Sequence, residues 1–121
     1  MKTFKVVVAG GRKFDDYDTL RLTLDNLLED KLKTHKVVII SGKARGADTL
    51  GEWYAKGLGL EVLEFPAEWE KYGRSAGHRR NAEMCSECDA LCAFWDGRSA
   101  GTNSMIDMAK KAGKIVHVEE Y

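Results

Sequence analysis

Five short apolar runs, at residues 5–9, 37–41, 60–65, 90–94 and 114–118, alternate along this chain with four stretches whose apolar residues recur at helical spacing. No other property of the sequence narrows the choice of fold as far. The runs are rich in Val, Ile, Leu and Phe and are almost unbroken by polar residues, the pattern of strands covered on both faces. Alternating strands and helices require right-handed crossovers between parallel neighbours. The expected fold is therefore α/β, a three-layer, doubly wound sheet of about five parallel strands, in one domain over residues 1–121.

The helical stretches carry their own signals. Tyr17, Leu20, Leu24, Leu27 and Leu28 repeat at three- and four-residue steps, with Asp15 and Asp16 placed to cap the free amides at the helix start. A second helix is expected over 47–58, with Leu50, Tyr54, Ala55 and Leu58 on one face and Gly57 and Gly59 stopping it. A third spans about 77–87. A fourth, about 102–112, turns Met105, Met108, Ala109 and Ala112 inward. Residues 66–76 read as the one long irregular connection, and long loops in compact domains tend to be functional.

Composition removes several classes of function. Lys plus Arg equals Asp plus Glu at 19 each, so no global field draws in a polyanion, and nucleic acid is not an expected partner. No apolar run reaches the ~18–20 residues of a membrane span, and the apolar part of the first residues is too short for a signal peptide. Membrane partners are not expected. The three cysteines, Cys85, Cys88 and Cys92, are odd in number and clustered, unlike a secreted disulfide framework, so the cytoplasm is the expected compartment. A zinc site needs a fourth ligand that this set lacks, and buried thiols acting as small hydrophobes are the simpler account. No metal or cofactor is called for. His35 reads as part of a polar turn, His117 as an incidental strand residue, and 29–36 as a solvated helix end.

In a doubly wound sheet, ligands bind outside the carboxyl ends of the strands. Four loops fall there. After the first run come Gly10, Gly11 and Arg12, glycines that let backbone approach a ligand and a cationic fork beside them. After the second come Ser41, Gly42, Lys43, Ala44, Arg45, Gly46, Ala47 and Asp48, small residues and two cations leading into a helix start, the makings of an anion site. This is not a Walker loop, since Ala44 follows the Gly-Lys pair. After the third run, Pro66, Trp69, Arg74, Arg80 and Asn81 interleave cations and aromatics, which suits phosphate plus a stacked base. After the fourth, Trp95 to Ser99 lead through Gly101 and Thr102 into another helix start. The connections at the opposite edge are bland.

Taken in order, these segments resemble the SLOG superfamily, the Rossmann-like group that holds the DNA-processing protein A core and the "lonely guy" phosphoribohydrolases. The resemblance is greatest to its short YspA-like branch. It rests on Gly10-Gly11-Arg12; on Ser41-Gly42 with Ala44-Arg45-Gly46-Ala47-Asp48; on Pro66, Ala67 and Trp69; on Ala76, Gly77, Arg80 and Asn81; and on Gly101-Thr102. It covers nearly the whole chain and implies a pocket for nucleotides or nucleotide-derived signals, and a homodimer or higher homo-oligomer. There is one departure. The phosphoribohydrolases carry Pro-Gly-Gly-x-Gly-Thr-x-x-Glu, whereas Met105 stands here where that Glu would fall.

The ligand-binding set expected from the sequence is Gly10, Gly11, Arg12, Ser41, Gly42, Ala44, Arg45, Gly46, Asp48, Trp69, Arg80, Asn81, Ser99, Gly101 and Thr102. Arg12, Arg45 and Arg80 would neutralise phosphate, Trp69 would stack a base or simply fill core, and Asp48 would cap its helix or meet a ribose hydroxyl. Lys43 reads as solvated. The leading function is binding, by sensing or sequestering, of an ADP-ribose-like or cyclic nucleotide derivative. An N-glycosidic hydrolase of nucleoside monophosphates is the alternative; it needs a carboxylate beside the ribose, for which Glu68, Glu70, Glu83 and Asp48 are available, with Glu83 the best placed in sequence. No catalytic residue is assigned. DNA binding, through Arg74, His78, Arg79 and Arg80, comes third.

Overall fold

The computed structural model describes residues 1–121. Its elements run β1 (Lys2–Gly10), α1 (Tyr17–Thr34), β2 (His35–Ser41), α2 (Ala47–Leu58), β3 (Glu61–Glu64), α3 (Trp69–Tyr72), a 3-10 turn (Gly73–Ser75), α4 (Ala76–Glu87), β4 (Ala90–Trp95), α5 (Ala100–Lys111) and β5 (Ile115–Glu120). All strands are parallel, in the order β3-β2-β1-β4-β5.

The near-continuous apolar runs are explained by burial on both sides. In β1, Val6 and Val8 face a core shared with Leu20, Leu24 and Leu28 of α1 and Leu50, Tyr54 and Ala55 of α2. Val7 and Ala9 face the opposite core, filled by Met84 and Cys85 of α4 and Met105, Ile106 and Ala109 of α5. The result is the expected three-layer, doubly wound sheet, of Rossmann-like architecture. Asp16 begins α1 by accepting hydrogen bonds from the Thr19 amide (3.1 Å) and hydroxyl (2.6 Å), which hold its carboxyl below the usual range. Gly59 closes α2 in the left-handed conformation, donating its N–H back into the last turn.

The chain winds outward from β1 to β3, then returns to lay β4 on the other side of β1. The loops leaving β1 and β4 therefore diverge, and a crevice opens between them.

Several local expectations change. Residues 66–76 are irregular only over 66–68: Tyr72 N–H then donates to the Glu68 carbonyl at 3.0 Å to form the single turn of α3, and a 3-10 turn carries the chain into α4. One polar turn has too few residues to show periodicity. Leu27, Leu58 and Ala112 are exposed rather than inward, the last two at or just past helix ends. His35 starts β2, its ring edge-on to Phe4 at 6.1 Å, instead of lying in a turn. Strand β3 is shorter than 60–65 at both ends, and β5 starts one residue after Lys114. The three thiols are buried, Cys85 and Cys88 in one core and Cys92 in the other, so the sheet stands between them. No helix is long and apolar enough to cross a membrane.

Candidate functional site

The four loops meet over the carboxyl ends of β1, β2 and β4. The first is stitched to its neighbours by backbone: Gly11 N–H donates to the Phe94 carbonyl (3.1 Å), and the Gly11 carbonyl accepts from Ala47 N–H at the start of α2 (3.2 Å). That second contact presses the two loops together at Gly46, whose φ is +78° and where a methyl group would run into the Gly11 carbonyl. Only glycine fits there. Gly42 makes room for side chains instead. A Cβ at this position would lie 2.8 Å from both Asp48 Oδ2 and Arg80 Nη1.

Asp48, in the first turn of α2, is only 5% exposed, and its Oδ2 accepts from Ala44 N–H at 3.4 Å. Burial pushes its carboxyl up to about 6, against the opposing pull of the Ala44 amide and the Arg80 charge. Arg80, half-buried on α4, donates from Nε to Asn81 Oδ1 (2.9 Å) and from Nη1 to the Gly42 carbonyl, leaving Nη2 without a protein partner. Burial first, and then the nearby Arg12 guanidinium, push the Arg80 pKa down, while Asp48 pulls it up.

The fourth loop completes the wall. Asp96 accepts from the amides of Arg98 and Ser99, both at 2.8 Å, and those bonds hold its carboxyl below the usual range. Trp95 Nε1 donates to the Ser99 carbonyl at 3.1 Å, fixing the entry to α5.

Around these groups lies a cavity of about 390 Å³. It is lined by Gly10, Gly11, Arg12, Ala44, Asp48, Arg80, Asn81, Ser99, Gly101 and Thr102 from the expected set, with Met84 and Met105 among its apolar residues. A second lobe of about 270 Å³ adds Gly42, Arg45 and Trp69, and shares Arg12, Ala44 and Arg80 with the first. Arg12 and Arg45 are exposed and make no ion pair within the chain. Trp69 is 52% exposed and fills no core.

Ser41 and Gly46 border neither lobe. Ser41 is buried and donates its hydroxyl to Glu52 Oε2 at 2.6 Å, while Gly46 serves the loop contact described above. Lys43 is not simply solvated. Its Nζ is held between Glu52 (2.9 Å) and Glu64 (3.1 Å), whose hydrogen bonds raise its pKa. Glu83 lies exposed on α4, beside a small hollow that it lines with Tyr72, Arg79 and Arg80, and does not itself line the main cavity.

Residues 4–72 match the sequence profile of the YspA, cpYpsA-related SLOG family, called YAcAr. The gene 61 protein of Mycobacterium phage D29 is 35% identical over 117 residues, covering 90% of each chain. This chain belongs to the YAcAr family of SLOG proteins. The SLOG profile takes in the first two loops and Trp69, while Arg80, Asn81 and the loop into α5 lie beyond it. Two solved structures share the fold. DNA processing protein A from Streptococcus pneumoniae superposes with a TM-score of 0.74 at 17% identity, over 97% of this SLOG chain and 50% of its own. The structural-genomics target TM1055 superposes with a TM-score of 0.65 at 22% identity, over 96% of this chain and 72% of its own. The chain thus spans half the length of the DNA processing protein.

Reading the sequence did not assign Asp96, Lys13 or Tyr121 to the site, yet all three line the main cavity. Asp96 had a usable signal, an Asp two and three residues before backbone amides in a Gly turn. Tyr121 had none. It arrives through strand pairing, donating its N–H to the Trp95 carbonyl at 3.1 Å.

Proposed function

We propose that this SLOG protein binds a nucleotide or nucleotide-derived signal, of the ADP-ribose-like or cyclic kind, in the cleft at the strand carboxyl ends. The observation that carries this reading is the pairing of the Arg12 and Arg80 guanidiniums across the seam of the two lobes. Two guanidiniums lining one space suit an anion, and the starts of α2 and α5 border the same space. Bidentate guanidinium contacts match phosphate geometry. The cavity volume lies within the roughly 300–1,000 Å³ usual for small-molecule sites.

Calorimetry against adenine nucleotides and ADP-ribose tests the reading. Arg12→Ala is the cleaner variant, because Arg80 also holds the Gly42 carbonyl and its loss would loosen the loop. Removing Arg12 should weaken a phosphorylated ligand by about 1.5–3 kcal/mol with the fold intact. Unchanged affinity for every phosphorylated ligand that binds would remove the anion site.

One observation favours the hydrolytic alternative. Asp48 is a carboxyl on the cavity wall with its pKa at about 6, suited to holding a proton near neutrality. Met105, buried where the phosphoribohydrolases carry Glu, brings neither charge nor proton. Incubation with AMP and measurement of free adenine separates the two readings: release that vanishes in Asp48→Asn makes the protein an enzyme.

A further inference from the structure

The cleft has an exposed aromatic ring in each lobe. Tyr121 borders the main lobe and is 52% exposed; its ring packs against Phe14 with centroids 4.8 Å apart, and its hydroxyl lies over Gly11. Phe14 in turn stacks on the buried Phe94 at 4.9 Å, so Tyr121 rests on a rigid aromatic column. Trp69 borders the second lobe, also 52% exposed, with its ring against Gly77, where any added Cβ would touch it at 3.4 Å. Each ring is thus supported by protein while much of its surface stays in solvent beside its lobe. Exposed aromatics held this way are stacking surfaces for planar rings.

Between them lies the cationic seam. Arg12, Ala44 and Arg80 line both lobes. A mononucleotide placed with its phosphate at the seam occupies one lobe and leaves the other ring uncovered. From this arrangement we infer that the ligand is two-armed, a dinucleotide whose bases stack on Tyr121 and Trp69 while its bridging phosphates cross the Arg12–Arg80 seam. The inference rests on the nucleotide-binding reading above and adds to it the class of ligand and the part played by Tyr121.

The test uses isothermal calorimetry with the whole chain and three probes: diadenosine diphosphate, ADP-ribose and AMP. The dinucleotide should bind on the order of tenfold or more tighter than AMP, with ADP-ribose, which lacks the second base, between them. Trp69→Ala and Tyr121→Ala should each reduce dinucleotide affinity about tenfold, whereas only one of the two should affect AMP. Both side chains are exposed, and circular dichroism of each variant checks that the fold is kept. Equal affinity for AMP and the dinucleotide, or AMP binding lost in both variants, would overturn the two-armed ligand and leave nucleotide binding in place. Failure of all three probes to bind would overturn both.

Discussion

Asp48 costs the folded protein stability as pH rises through the mildly acid range, a cost one substitution should abolish. Its carboxyl is about 5% exposed, and burial raises its pKa from 3.8 to about 6. The protonated form is therefore the one the folded state prefers. Below pH 3.8 both folded and unfolded chains carry the proton and nothing is lost. As pH rises from there through 6 the folded state must ionise a buried group, and stability falls by an amount that levels off above 6. At about 1.4 kcal/mol for each pH unit separating the two pKa values, the full loss is ~3 kcal/mol. Asp48→Asn keeps the shape and an oxygen for the Ala44 amide but never ionises. The variant should match the native protein near pH 4 and exceed it by ~3 kcal/mol at pH 8, on the order of 10 °C in Tm. Urea denaturation at both pH values measures the difference. A stability gap that is the same at pH 4 and pH 8 would show that Asp48 is not ionising against burial, and the reasoning would fail.

Three further outcomes are expected. Gly46→Ala should destabilise the fold by on the order of 3 kcal/mol in urea titration, because the methyl group meets the Gly11 carbonyl at a φ of +78°. Tyr54→Phe should lose about 1 kcal/mol, the hydrogen bond that the buried Tyr54 hydroxyl donates to Asp25 at 2.8 Å. Burial pushes the Cys88 thiol up to about 11 and Cys92 to about 12, so an aromatic disulfide reagent should label them no faster than the chain unfolds; rapid labelling under native conditions would contradict their burial.

The sheet was legible because each strand is buried on both faces, which leaves an apolar run that survives inspection one residue at a time. The bounds of α2 were legible for a similar reason, since Gly46 and Gly59 mark its two ends. The loops were legible as a group, and most of the residues named from them line the cleft. What escaped notice depends on distant partners. Ser41 looks like a ligand contact, and Lys43 like a solvated cation, until the turn of α2 delivers Glu52 and the neighbouring strand delivers Glu64. Tyr121 is brought to Gly11 by β4–β5 register, and no local pattern near residue 121 announces it. Glu83, one turn from Arg80, shares a small outer hollow with it, and only the longer Arg80 side chain also reaches the main cavity.

The reversal of winding between β1 and β4 divides the labour among residues that are neighbours in sequence. Gly42, Gly46 and Asp48 are held by backbone and buried contacts, so they belong to the frame. Arg12, Arg45 and Trp69 stand exposed on that frame and belong to neither core. Changes in the second group should therefore add independently to changes in the core, since they share no packing partners. A chain built this way can exchange the side chains at its rim without renegotiating the stability of its interior.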